Sequence, residues 1–248
     1  RRLAWAAVLL VALGGTWLYN HYQATHQKLH VINRLAVPAT VQLDGGEGRL
    51  VRAGEHQVVT VAEGRHQAAV TKEGGPAETV RFEIRNGFFE RFRDKAAFVL
   101  NVRGAAVLLW EEITYSATPA TAAPPRKVHF GEPFLSLRPI DYAFVSAPET
   151  LEVKKGSEAV KKTVLSLIEA PPFQALRLFP DDTPTDEYLR FLEHFLALNP
   201  QDGDLTRAYF LFASGLPVGD RCVAFLQQGL ALRPVAMHQL QDAMHVAL

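Results

Sequence analysis

The sequence predicts an α+β chain in which an apolar helix precedes a β-rich middle and a helical C-terminal region. Residues 3–19 contain no charged side chain. The stretch after them consists of short apolar runs separated by glycine-rich turns, which is the pattern of antiparallel strands. From residue 171 onwards, apolar residues recur at helical spacing between prolines. We therefore expect segments with the bounds 1–22, 23–115, 116–127, 128–170 and 171–248.

Composition limits the functional classes that the chain can belong to. Lys plus Arg and Asp plus Glu both number 26 in 248 residues, so the formal net charge is zero. A nucleic-acid partner is not expected, because phosphate binding needs a basic surplus. Cys222 is the only cysteine, which excludes an intrachain disulfide and a thiolate metal cluster. The sequence contains no evident nucleophile–base arrangement or zinc motif, so we predict no enzyme, cofactor or metal.

The apolar run over residues 3–19 is predicted to be a single membrane anchor. As a helix it would be roughly 25 Å long, near the lower limit for crossing a bilayer. Basic and aromatic residues flank it, as at membrane interfaces; these are Arg1, Arg2, Trp5, Trp17, Tyr19 and Tyr22. The positive-inside rule then places the N-terminus in the cytoplasm and the bulk of the chain in the periplasm. A cleavable signal peptide ending near Ala12-Leu13-Gly14, or a buried core helix, would also fit this run.

The segment 23–115 is predicted to be a small antiparallel β-sandwich or barrel. Apolar and polar side chains alternate in residues 41–43 and 80–84, as in strands with one buried face. The runs 98–102 and 105–110 flank Arg103-Gly104 and predict a hairpin. His26 and His30 would share a face if the first helix continued, and such a pair can bind a metal. Because residues 29–32 have the composition of a strand, we interpret both as ordinary interface histidines.

A recurring arrangement of strands and glycine turns covers residues 33–70. Residues 39–43 end in Asp44-Gly45, and two further runs, 51–54 and 62–70, each contain a glycine turn. This arrangement resembles bacterial envelope modules of the PEGA and carboxypeptidase-regulatory-like kind, although the Pro-Glu-Gly-Ala motif itself is absent. The resemblance implies a β-sandwich used for display or interaction more than for chemistry.

The most basic and aromatic patch of the chain is Phe88-Phe89-Glu90-Arg91-Phe92-Arg93. Interleaved Phe and Arg residues can stack on bases or bind lipid headgroups. The expected structure is a strand or sheet edge whose Phe side chains face a core and whose charges face water.

Proline organises the next stretch of the chain. Residues 116–127 contain three prolines and mostly small side chains, which predicts a semi-extended linker. The segment 128–170 is predicted to be a second β segment, in which Pro133, Pro139 and Pro148 confine strands to edges or irregular packing. Residues 160–168 fit a strand or an amphipathic helix, and we favour the strand.

The C-terminal region, 171–248, contains an internal repeat. Phe195-Leu196-Ala197-Leu198-Asn199-Pro200 recurs as Gly229-Leu230-Ala231-Leu232-Arg233-Pro234, and the two prolines are 34 residues apart. This region resembles tetratricopeptide repeats, although Phe195 and Phe210 stand where that family has small residues. We predict helices at 185–198, 204–214, 218–232 and 235–247, with a short one near 173–178. The resemblance implies protein binding, and the candidate contact residues are Tyr209, Phe210, Leu226, His238 and His245.

Together these features predict a non-catalytic, single-pass accessory or scaffold subunit of bacterial type. It would dock from the extracytoplasmic side on a larger membrane complex, such as a respiratory or photosynthetic one. Its partners would be integral membrane subunits and the lipid bilayer. The alternative is an envelope module that binds glycan or peptidoglycan through the β domain, which needs exposed and grouped aromatic rings at Phe92, Trp110 or Tyr115.

Overall fold

A computed structural model describes residues 2–93, 95–116, 124–151, 159–214 and 225. In this part of the chain the fold is α+β, with three four-stranded sheets. The helices are α1 (Arg2–Thr25), α2 (Glu90–Arg93), α3 (Pro172–Ala175), α4 (Thr185–Leu198) and α5 (Gly203–Ser214). The strands are β1 (Gln27–Ile32), β2 (Ala39–Leu43), β3 (Gly48–Val51), β4 (His56–Val61), β5 (Gly64–Lys72), β6 (Ala77–Ile84), β7 (Ala97–Asn101), β8 (Val107–Ser116), β9 (Arg126–His129), β10 (Phe134–Leu137), β11 (Tyr142–Ala143) and β12 (Ala159–Ile168).

The N-terminal helix corrects the prediction of a membrane anchor. Among the described residues, no helix is both long and apolar enough to cross a bilayer. The last part of α1 is polar and belongs to the protein body: Asn20 is buried and donates a hydrogen bond to the Phe88 carbonyl at 3.3 Å. The predicted anchor over 1–22 is therefore wrong, and the single-pass topology and periplasmic location derived from it are withdrawn.

The roles assigned to the flanking residues fall with the anchor. The side chains of α1 at these positions are exposed, namely Trp5, Trp17, Tyr19 and Tyr22. The last three contact other rings of the protein, those of His21, Phe92 and His26 respectively. Arg1 and the side chain of Arg2 lie outside the described residues. The described rings are therefore assigned to a protein surface instead of a membrane interface.

Two of the sheets pack against each other, in agreement with the sandwich-like content expected from the sequence. Their strand orders are β3-β2-β5-β6 and β10-β7-β1-β4. In the second sheet β1 runs antiparallel to β4 and parallel to β7, with Leu29 opposite Phe98. The shared core includes Leu29, Val41, Val70, Phe82, Ile84, Phe98 and Leu100.

The third sheet has the order β11-β12-β8-β9 and is buried on both faces. Side chains alternate along β8, so Leu108 packs towards the sheet of β1 and β7 while Leu109 packs towards the helices. The helical side of this layer is formed by Leu189, Phe191, Leu192, Phe195, Leu205 and Tyr209. The predicted strand at 160–168 is confirmed, because β12 pairs with β8 over its whole length.

The predicted hairpin of residues 98–110 is wrong. β7 and β8 belong to different sheets, and the turn between them carries the chain from one layer to the next. Arg103 and Gly104 both adopt positive φ angles, 55° and 67°, and this turns the backbone sharply. Proximity in sequence therefore does not lead to pairing here.

The helical region follows the predicted bounds as far as it is described. α4 spans the predicted 185–198, and α5 begins one residue before the predicted 204. The expected short helix corresponds to α3 and a following 3₁₀ turn, Leu176–Leu178. The predicted helices at 218–232 and 235–247 lie outside the described residues, apart from Phe225.

Candidate functional site

The most unusual surface of the molecule is the projecting part of α1. Every residue from Val8 to Tyr19 is exposed, and the exposed fraction of the Val11 side chain reaches 76%. Successive helix residues are rotated by about 100°, so Val8, Leu9, Leu10 and Val11 cover all sides of the helix. An apolar helix that is exposed on all sides normally becomes buried against a partner.

A polar network fixes the base of this helix to the β-rich body. Asn20 accepts a hydrogen bond from the Arg91 guanidinium, and Arg91 Nε donates to Glu63 Oε1 at 2.9 Å. The side chains of Arg91 and Glu63 are only 13% and 14% exposed, so this ion pair is largely shielded from water. The hydrogen bonds to the Glu63 carboxylate raise the pKa of Arg91. The backbone adds a bond from Glu63 N–H to the Ala24 carbonyl at 2.7 Å.

The segment 88–93 was predicted to be a strand or sheet edge whose Phe side chains face a core. This prediction is wrong, because the phenylalanines face solvent and the backbone is not a strand. Phe88 and Phe89 lie in a turn and Glu90–Arg93 form the short helix α2, with the Glu90 carboxylate accepting the Gly87 N–H at 2.7 Å. Phe88, Phe89 and Phe92 are 46%, 77% and 48% exposed, and the ring centroids of Phe88 and Phe92 are 5.6 Å apart. The Phe92 ring also lies 5.4 Å from that of Tyr19. The apolar surface of α1 therefore continues onto α2.

A cleft of about 440 Å³ opens between the base of α1, the start of β1 and α2. The residues around it that matter chemically are Tyr19, His26, Lys28, Asn86, Phe92 and Lys95. They combine aromatic walls, cationic side chains and a buried amide. Such a mixture of apolar walls and a few polar groups is typical of small-molecule sites.

The predicted histidine pair is not brought together. His26 follows α1 and stacks on Tyr22, whereas His30 lies on β1 and faces His56, with 2.9 Å between Nδ1 and Nε2. Burial, followed by the neighbouring His56, lowers the pKa of His30 to about 4, and burial also lowers the pKa of His56. The Phe144 ring lies 4.7 Å from both imidazoles. Within the described ranges, no group of three His, Cys, Asp or Glu side chains is placed to hold a metal ion.

One imidazole–carboxylate pair resembles the orienting half of a catalytic triad. His66 Nδ1 lies 2.7 Å from Asp44 Oδ2, and His66 Nε2 lies 2.8 Å from the Ala62 carbonyl. Both ring nitrogens therefore lie against oxygen atoms of the protein itself, and neither is free to face a substrate. The pair links β5 to the turn after β2, which is a structural role.

The sequence-predicted contact residues lie elsewhere. Tyr209 is 1% exposed, and its hydroxyl is 3.1 Å from Glu193 Oε1, so it is a core residue and not a docking residue. Phe210 is half-buried beside it. Leu226, His238 and His245 lie outside the described residues.

The aromatic rings proposed for glycan binding are not grouped. Trp110 and Tyr115 stand five residues apart on β8, so their side chains point to opposite faces of the sheet. Trp110 packs against a core, and the Tyr115 hydroxyl donates to the Pro148 carbonyl at 2.6 Å. Phe92 instead belongs to the surface around α1.

Sequence reasoning missed the polar residues at the base of α1 and in the cleft. Asn20, which belongs to the network with Arg91, and Asn86 and Lys95, which line the cleft, are isolated polar residues without a motif, and their roles depend on contacts across the fold. The one available signal was Asn20, the first polar residue after the apolar run. Comparisons of the chain with protein-family models, with curated proteins and with solved structures found no match.

Proposed function

We propose that this chain is a non-catalytic accessory or scaffold subunit that docks on another protein through α1 and α2. The observation that carries the proposal is the exposed apolar surface formed by Trp5, residues 8–19, Phe88, Phe89 and Phe92, which we name the docking surface. Folded proteins rarely leave a contiguous apolar patch of this kind in water unless it binds something. Docking would remove these side chains from water.

The shape of the docking surface defines the partner. Residues 8–11 present apolar side chains all round the helix, so a flat surface or a single second helix would leave part of it wet. A groove between helices of another protein covers such a helix on several sides at once. Since residues 3–19 carry no charge, the groove is expected to be apolar and rich in aliphatic and aromatic side chains.

The base of α1 supports docking because it holds the helix in place before binding. Asn20, Arg91 and Glu63 join the helix to α2 and to the turn before β5. A helix that is already formed and oriented loses less conformational entropy when it binds. A binding role is also favoured over catalysis, because His66 and His30 are not placed to act as a general base. Both ring nitrogens of His66 contact protein oxygens, and His30 is buried against His56.

Site-specific photo-crosslinking in the native cells tests the proposal. A benzophenone amino acid would replace Leu10 or Phe89 on the docking surface, or Leu50 on β3 as a matched control that is also an exposed apolar residue. We expect Leu10 and Phe89 to crosslink to the same protein and Leu50 not to. The captured protein is then identified, purified and titrated with the whole chain. Leu10→Gln should weaken this binding about thirtyfold, because burying a leucine contributes about 2 kcal/mol.

Three results would contradict the proposal. Crosslinks only between copies of this chain would show self-association in place of docking on another protein. Retention on protein-free lipid vesicles, with no protein crosslink, would show that a protein groove is not the occupant. Equal crosslinking yields at Leu10 and Leu50 would show that the surface binds nothing in particular.

A further inference from the structure

We propose that the cleft at the base of α1 binds a small organic carboxylate that also carries a hydrogen-bond donor, such as a sugar acid. This inference rests on a buried acceptor, on two lysines and on the shape of the cleft. The cleft shares the Tyr19 and Phe92 rings with the docking surface, but the inference does not require that surface to have a protein partner.

The side-chain oxygen of Asn86 is the first element. Asn86 lines the cleft, is 8% exposed, and its Oδ1 has no hydrogen-bond partner among the described residues. The orientation of its amide is set by a chain of contacts. Gln27 Nε2 donates to the Gln23 carbonyl at 2.6 Å and to Glu63 Oε1 at 3.2 Å, so Gln27 Oε1 must accept from Asn86 Nδ2, at 2.9 Å. Asn86 Oδ1 is therefore left as an unsatisfied buried acceptor, which a ligand O–H or N–H would satisfy.

Charge is the second element. Lys28 and Lys95 line the cleft, and neither forms an ion pair with a described residue. They stand at the same end of the sheet, because β1 and β7 are parallel and Leu29 lies opposite Phe98. The third cation, Arg91, is already neutralised by Glu63. Among the described residues that line the cleft, no carboxylate offsets Lys28 and Lys95, and these two positive charges favour an anion.

The walls of the cleft argue for an organic ligand over a bare ion. The rings of Tyr19 and Phe92 lie 5.4 Å apart at its edge and give it an apolar side. Its volume of about 440 Å³ is in the usual range for organic ligands and far exceeds that of an inorganic anion. A carboxylate would face the lysines, a hydroxyl would donate to Asn86 Oδ1, and the carbon frame would lie against the rings.

Ligand titration of the whole chain, followed by amide NMR spectra, tests this assignment. D-glucuronate is the probe, D-glucose is the matched neutral sugar, and inorganic phosphate is the anion without a carbon frame. We expect glucuronate alone to cause saturable shifts of the Asn86 side-chain amide and of the Lys28 and Lys95 backbone signals. Replacing both lysines by glutamine, which is tolerated at exposed positions, should weaken binding at least about tenfold, since each good charged contact contributes on that scale. Lys161→Gln on β12 is the control.

The proposal is overturned if glucuronate causes no saturable shift, or if the double lysine variant binds as well as the parent chain. Equal shifts with glucose would show that charge is not recognised. Equal shifts with phosphate would show an adventitious ion only. Asn86→Asp adds a specific check, because it replaces the amide NH2 group by a charged oxygen, and the new negative charge should repel an anionic ligand. Failure of these tests with a retained crosslink at Leu10 would remove the ligand and leave the docking proposal standing.

Discussion

The close approach of Gly104 and Gly131 provides a quantitative test of how the sheet layers are joined. Gly104 adopts a φ of +67°, and a Cβ at this position would lie 2.6 Å from the carbonyl carbon and 2.7 Å from the Cα of Gly131. The Gly104 carbonyl also accepts hydrogen bonds from the Gly131 N–H at 3.3 Å and from His194 Nε2 at 3.0 Å. The turn after β7 thus contacts both the loop before β10 and helix α4.

Gly104→Ala should therefore be strongly destabilising. A positive φ costs a non-glycine residue about 1–2 kcal/mol. Forcing backbone atoms apart to admit the methyl group costs roughly another 1–3 kcal/mol, because the contacts are with main chain and not with a movable side chain. We expect the free energy of unfolding to fall by about 2–5 kcal/mol.

Gly45→Ala is the matched control, since Gly45 has a φ of +72° but a Cβ there would meet no atom within 4 Å. It should lose only the conformational part, about 1–2 kcal/mol. Urea denaturation followed by circular dichroism and by tryptophan fluorescence measures both variants. Equal losses in Gly104→Ala and Gly45→Ala would refute the reasoning, because they would show that the layers do not approach as closely as the structure indicates.

Further predictions concern the buried polar groups. Burial lowers the pKa of His30 to about 4, so the unfolded chain binds a proton at a higher pH than the folded chain. The free energy of unfolding should therefore be at its full value above pH 6.5 and fall by about 3 kcal/mol as the pH decreases to about 4. Urea denaturation at several pH values should show a smaller loss in His30→Gln. Asn33 is fully buried, and its side-chain amide donates to the Val37 and Val51 carbonyls at 3.0 Å. Asn33→Ala should therefore lower the free energy of unfolding by about 2–3 kcal/mol. A loss as small as that of Gln42→Ala, at an exposed position, would contradict this structural role. Arg91→Met should cost about 3–5 kcal/mol, because it leaves the largely shielded Glu63 carboxylate without its cationic partner and with only the hydrogen bond from Gln27. Adding Glu63→Leu should recover much of this loss in thermal unfolding.

The sequence predicted those elements whose signals are local. The bounds of α4 followed from helical periodicity ended by Pro200, and the strand at 160–168 followed from its apolar composition. The hairpin over 98–110 failed because pairing depends on where each strand is buried, and β7 and β8 enter different layers. The patch at 88–93 failed because aromatic residues were expected to face a core, which is a statistical tendency and not a constraint.

The anchor failed for a related reason. The apolar run in residues 3–19 was correctly recognised as a helix without charge, but the predicted anchor extended to residue 22, whereas the helix joins the protein body from Asn20 onwards. Asn20 reaches Phe88 and Arg91 across 68 and 71 residues of sequence, and such contacts leave no trace in local composition. The same holds for Asn86 and Lys95, which become parts of a cleft only after the sheets have formed.

Variants of α1 and its base are expected to be of two kinds: those that remove only a contact with the partner, and those that also remove a contact within the folded chain. Leu10 is 69% exposed on the projecting part of α1, so changing it removes an interaction with a partner but hardly alters the folded chain. Arg91 lies at the base of the helix, where its loss leaves the largely shielded Glu63 carboxylate without an ion-pair partner and also frees α1 to change direction. Leu10→Gln should therefore weaken partner binding at unchanged unfolding temperature, whereas Arg91→Met should lower both together. If Arg91→Met lowers the unfolding temperature but leaves partner binding unchanged, α1 docks without being held in place by the β-rich body.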